Sequence, residues 1–403
     1  MKKFVLVVNI IVIFFLIGLM FFNNKPKELE DLKEVIKQPK MLSMNLEQTS
    51  GAGDYKTVTQ SNWPTNGYEF NEELSRCENG STLSWDDTKK AVIVSGSTSD
   101  RCYVYFDKVS MLTDYVISQY TGTQGENNIY YHDSSLTNGA GDNSYRYAGA
   151  NPNNYVCFGS DVSPCPTDNL YRIIGVIDDK VKLIKADFAS STLLGKNGDY
   201  AYSGTPSSSY KGSLTKIDRY YWNKTSEQNT WSISSLNTTN LNTNFINNIG
   251  STWASKIVTT TWKVGGGDFR SFVPKIVYQN EVVNPQAGQY SATNETEYSA
   301  KIGLMYVSDY GFAAIPDAWT LTMSLYNNLT ATNNNWIYIG DGDWTITPMT
   351  TMVDYLNVIS SDGQIVIGFV GMDSFGARPV FNLDTSIEYV SGAGTHNDPI
   401  IIK

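Results

Sequence analysis

An apolar run opens the chain. Phe4 to Phe22 is broken only by Asn9 and Gly18, and Lys2 and Lys3 precede it. That length is close to the roughly 20 residues a helix needs to cross a bilayer. Phe21-Phe22-Asn23-Asn24-Lys25 follows without a small-residue cleavage pattern, which favours an uncleaved signal-anchor over a removed signal peptide. The pattern therefore predicts a transmembrane segment over 1–24, meeting the lipid bilayer through Phe4–Phe22. The leading lysines favour a single-pass cell-membrane protein with its body outside. In "PKELEDLKEVIKQP", Leu29, Leu32, Val35 and Ile36 fall at helical spacing between Pro26 and Pro39. This predicts a helical stalk over 25–40. Residues 41–61 are expected to be a linker.

The period then changes from helical to alternating. Short strand-like runs, "GYEFN", "STLSW", "AVIVSG" and "CYVYFD", alternate with turn-formers and predict a small all-β module over 62–107. Val109, Leu112 and Val116 predict a connector helix in "DKVSMLTDYVISQY", and Gly/Asn-rich loops fill the rest of 108–169. From Leu170, "LYRIIGVI" and "VKLIKADF" read as a central, half-buried hairpin turning at Asp178-Asp179-Lys180. Leu236, Leu241, Phe245, Ile246 and Ile249 predict two short helices separated by Gly250, with Ser251 as cap. "KIGLMYVSDYGFAA" reads as a strand passing into a helix capped by Ser308. The remaining runs to Val390 read as β structure. The fold class expected is α+β.

Composition narrows the function. The formal net charge is −10, which argues against a nucleic-acid partner. Seven lysines against four acids give residues 1–40 a charge of +3 and leave −13 on the rest. At 13% aromatic residues the body can bury a core, so disorder is not the reading. The four cysteines, Cys77, Cys102, Cys157 and Cys165, have no C-x-x-C spacing, and His132 and His396 are the only histidines. A Cys/His zinc site does not fit that set, whereas two disulfides do. Sequential pairing is the economical choice; the other pairings would tie separate modules together. His132, beside Asp133, reads as a surface histidine.

The ordered segments "YRIIGVIDDKVKLIKADF", "WSISSLNTTNLNTNFINN", "IGLMYVSDYGFAA", "WTIT", "GQIVIG" and "GARPVFNL" resemble a family of bacterial surface-protein domains of unknown function, the DUF6273-like group. In that family a hairpin opens the domain and a "G-V-R-P" strand closes it. Residues 100–403 also resemble unnamed surface proteins of low-GC Gram-positive bacteria. The closing pattern is similar to that of C-type-lectin-like and formylglycine-generating-enzyme folds. The resemblance implies a C-type-lectin-like mixed α+β domain over 170–403. The late cysteine pair of those enzymes and the calcium signatures of C-type lectins are both absent here.

Candidate chemistry gathers near the closing strands. Asp341 and Asp343 flank a glycine and form either a turn or a pair of oxygen ligands for calcium, the one cofactor the pattern suggests. Trp319, Trp336 and Trp344 are either core residues or a face on which a sugar stacks. Arg378 is either a structural ion-pair partner or a contact to a ligand carboxylate or sugar. Without G-x-S-x-G, H-E-x-x-H or P-loop spacing, no catalytic set emerges. The expected function is a membrane-anchored extracellular binding, adhesion or display module, with a glycan or a surface protein as ligand. The alternatives are a pilin-like filament subunit, although the prepilin cleavage motif is missing, and an enzyme acting on cell-wall polymers.

Overall fold

The computed structural model describes residues 41–403 except 60, 61, 65, 66, 98 and 287–294. The expected membrane span and stalk lie outside the described residues. Among those described, no helix is long and apolar enough to cross a membrane, and the single-pass membrane reading is corrected on that finding. The fold class is corrected as well. The described chain is a mixed structure and not the α+β arrangement expected. It has about 20% helix and 31% strand, and the strands are spread over many small sheets. It divides into two compact units between Val109 and Ser110.

The first unit starts where a linker is expected. Its strands are β1 (Met41–Glu47), β2 (Tyr55–Val58), β3 (Tyr68–Phe70), β4 (Arg76–Cys77), β5 (Thr82–Asp86), β6 (Ala91–Ser95) and β7 (Arg101–Lys108). β1 runs parallel to β7 and antiparallel to β2, β3 and β4 also pair with β7, and β5 with β6 forms a separate hairpin. The cause is a period of two. Leu42, Met44 and Leu46 alternate along β1, as Cys102, Val104 and Phe106 do along β7. Met44, Leu46, Val104 and Phe106 share a core with Val92, flanked by Leu42, Phe70 and Trp85. The Cys77–Cys102 disulfide joins β4 to β7.

The second unit continues with β8 (Ser110–Met111), the helix Leu112–Ser118, β9 (Ile129–Tyr131), β10 (Tyr145–Tyr147), β11 (Tyr155–Cys157), β12 (Leu170–Ile177) and β13 (Lys180–Lys185). After these come β14 (Tyr200–Gly204), β15 (Ile217–Tyr220), β16 (Thr260–Lys263), β17 (Glu297–Ala300), β18 (Asp343–Pro348), β19 (Tyr355–Ile359), β20 (Ile365–Phe369), β21 (Val380–Asn382), β22 (Glu388–Ser391) and β23 (Ile401–Ile402). The largest sheet has the order β21-β13-β12-β10-β9, with β11 also on β12. The opening hairpin is thus central, and β12 is buried along nearly its whole length. Asp178 and Asp179 take φ of 49° and 58°, the paired left-handed conformation a two-residue hairpin turn requires. Gly175 sits at a β-bulge, where a Cβ would press on the Tyr145 carbonyl oxygen.

Local details depart from expectation for physical reasons. The expected connector helix shortens to Leu112–Ser118, because β7 and β8 claim the residues before it. Leu236–Phe245 is wound as a π-helix, and Gly250, with φ of 82°, stands at the N-cap position assigned to Ser251. Tyr306 rather than Ser308 caps the helix Val307–Phe312, and Asp309 accepts its backbone N–H at 3.1 Å. His132 is buried rather than exposed; its Nδ1 accepts the Ala140 N–H at 3.0 Å. The second disulfide is Cys157–Cys165.

Candidate functional site

The register of the central sheet sets a cation among aromatic rings. β11 pairs β12 with Tyr155 opposite Arg172. The guanidinium lies 4.4 Å from the Tyr155 ring centre and 4.6 Å from that of Trp336. Nε donates to Asn154 Oδ1 at 2.7 Å, Nη1 to the Trp336 carbonyl at 3.2 Å and Nη2 to the Pro152 carbonyl at 3.2 Å. Every one of these acceptors is neutral, and no carboxylate among the described residues pairs with Arg172. Burial pushes its pKa down to about 10, so it remains charged at neutral pH. An unpaired buried charge is costly, and the ring faces and carbonyls offset part of that cost.

Arg172 stands in the wall of a cleft of about 370 Å³, within the range of small-ligand sites. Lys211 supplies a second cation. It donates to the Thr332 carbonyl at 2.9 Å, its Nζ sits 4.5 Å from the Tyr338 ring centre, and burial lowers its pKa. Lys211 likewise has no carboxylate partner among the described residues. Among the described residues Asp187 is the one carboxylate in the lining; it accepts from the Tyr210 hydroxyl, the Phe188 N–H at 2.8 Å and the Ser213 N–H at 3.2 Å. The ends of the hairpin therefore contribute directly, through Leu170, Arg172, Ala186 and Asp187.

The residues singled out in the sequence divide around this cleft. Trp336 lines it, with its indole N–H bound to the Tyr147 carbonyl at 2.8 Å. Asp341, Asp343, Trp344 and Arg378 do not line it. Arg378 donates to Asp343 at 2.6 Å and to the Ile337 carbonyl at 2.8 Å, so it braces the cleft wall from behind. Burial pushes Asp343 up to about 6, against the pull of Arg378. Asp341 pairs with Arg219 at 3.1 Å and accepts the Ser207 N–H at 2.7 Å. The two carboxylates read as calcium ligands thus face arginines, and no group of three or more metal-ligating side chains occurs among the described residues. Trp344 and Trp319 are fully buried core residues and form no sugar-stacking face. Arg172 had a legible signal, as a lone cation inside an apolar strand.

A second charged cluster is closed off from any ligand. Asp309 takes Lys182 at 2.6 Å and Arg146 at 3.4 Å, and Arg146 also takes Asp142 at 2.7 Å. Glu281 accepts the Val307 N–H at 2.9 Å, the Ser308 N–H at 3.0 Å and the Thr347 hydroxyl, and burial pushes it up to about 7. These groups tie the helix Val307–Phe312 to β13, β10 and β18, which is structural work.

No family model matches the chain, and neither a curated protein nor a solved structure matches it. The likeness to the surface-domain family rests on the quoted segments alone.

Proposed function

We propose that the unit from Ser110 onward is a binding module whose ligand, a glycan, seats in the cleft between Arg172 and Lys211. One observation carries this reading. A buried guanidinium and an ammonium border the same concave site, and neither has a carboxylate partner among the described residues. Charged groups whose environment disfavours them gather at functional sites. Asn151, Asn333 and Ser213 in the same lining are exposed and suit hydroxyl groups. Binding is favoured over hydrolysis, because glycoside cleavage ordinarily uses two carboxylates and the described lining holds Asp187 alone. A glycan array probed with the whole chain, with calcium and with chelator, tests the reading. Binding to a defined set of glycans is expected, and no binding to any glycan in either condition overturns it.

A further inference from the structure

We propose that the cleft takes a sugar bearing a single carboxylate, as in a uronic acid, and that Arg172 and Lys211 receive that carboxylate. This rests on the glycan-binding reading above and adds the charge of the ligand. The lining holds Arg172 and Lys211 against Asp187, an excess of one positive charge in a protein of net charge −10. A concave cationic site on an acidic body concentrates anions where the rest of the surface repels them.

The donors left over match a carboxylate. Each of the three Arg172 nitrogens makes one hydrogen bond to the protein. A guanidinium has five N–H groups, so one N–H on each terminal nitrogen is left without a protein acceptor among the described residues. Two such donors suit the two oxygens of a carboxylate. Lys211 gives one of its N–H groups to Thr332 and keeps the others.

Asp187 selects against more highly charged ligands. A phosphate dianion would meet its carboxylate in the same cleft, whereas a monoanion leaves the lining and ligand balanced, and Asp187 can accept from a sugar hydroxyl. The aromatic rings do not offer a stacking platform in the usual sense. Arg172 already covers Tyr155 and Trp336, and Lys211 covers Tyr338. Recognition by charge and hydroxyl contacts is what remains.

Calorimetric titration of the whole chain with methyl galactosiduronate, which carries one carboxylate, with its methyl ester and with neutral methyl galactoside tests the proposal. The ester keeps the ring and removes only the charge. The acid is expected to bind at least about tenfold more tightly than the ester, and its affinity is expected to fall from about 0.05 to 0.5 M salt. Lys211→Gln changes an exposed side chain and is expected to weaken the acid at least about fivefold more than it weakens the ester. Equal affinity for acid and ester overturns the carboxylate inference but leaves glycan binding standing. Binding to none of the three overturns the inference, with the array deciding the broader reading separately. Full acid preference in Lys211→Gln, with cleft amide resonances unmoved in NMR spectra, shows that the carboxylate sits elsewhere and overturns the assignment. Inorganic phosphate binding as tightly as methyl galactosiduronate overturns the preference for a monoanion.

Discussion

Arg172 and Glu281 are both buried ionisable groups, and they differ in what surrounds them. Arg172 borders a cleft and holds three neutral acceptors. Replacing it by methionine strands Asn154 Oδ1 and the Trp336 carbonyl, while the Pro152 carbonyl keeps the Asn154 N–H, so Arg172→Met is expected to cost about 2 kcal/mol in urea unfolding. That cost is why the exposed Lys211 is the better probe of ligand binding. Glu281 is sealed, and its carboxyl sits at about 7 in the fold against an ordinary 4.5. A carboxyl raised by folding contributes stability that is fully present below about pH 4.5 and is lost as pH rises through about 7. The loss is expected to be about 3 kcal/mol at most. Unfolding curves at pH 4.5 and 8 check this: the difference attributable to Glu281 disappears in Glu281→Gln, whatever offset that substitution adds. Residue types alone did not distinguish these cases. Asp341 and Asp343 looked like ligands, yet each meets an arginine more than 30 positions away in the chain.

At the scale of elements, apolar runs bounded by turn residues were the dependable signal. The hairpin β12–β13 is legible because its apolar runs flank two residues able to adopt positive φ. β1 alternates instead, through Leu42, Met44 and Leu46, and the polar residues between them read as linker composition. Caps were less legible. The N-cap at Tyr306 depends on Asp309 reaching back to its N–H, and the same aspartate is held by Lys182 across the sheet. Gly175 shows how a strand depends on its neighbour. Gly175→Ala is expected to destabilise the fold by about 2 kcal/mol, because the new methyl meets the Tyr145 carbonyl where β10 crosses the bulge. Urea unfolding measures it, and a cost below about 0.5 kcal/mol would mean that β10 can move aside.

At the scale of the whole molecule, the two units differ in how much core each has. Among the described residues the first has five buried apolar residues in its cluster, so its disulfide carries a larger share of its stability. Cys77→Ala with Cys102→Ala is expected to remove about 3 kcal/mol. Hydrogen exchange read by mass spectrometry should then show lost protection in β1 and β7 and unchanged protection in β12 and β13. Equal loss in both units would contradict this. The sequence by itself determined the central hairpin and its turn and the pairing capacity of the four cysteines, because local period, turn chemistry and cysteine count are properties of neighbouring residues. Only the tertiary structure decided which residues form the cleft. Arg172, Asp187, Lys211 and Trp336 come from four stretches of chain. Whether a buried cation finds a carboxylate, or meets only rings and carbonyls beside an open cleft, depends on which distant strands and loops pack around it.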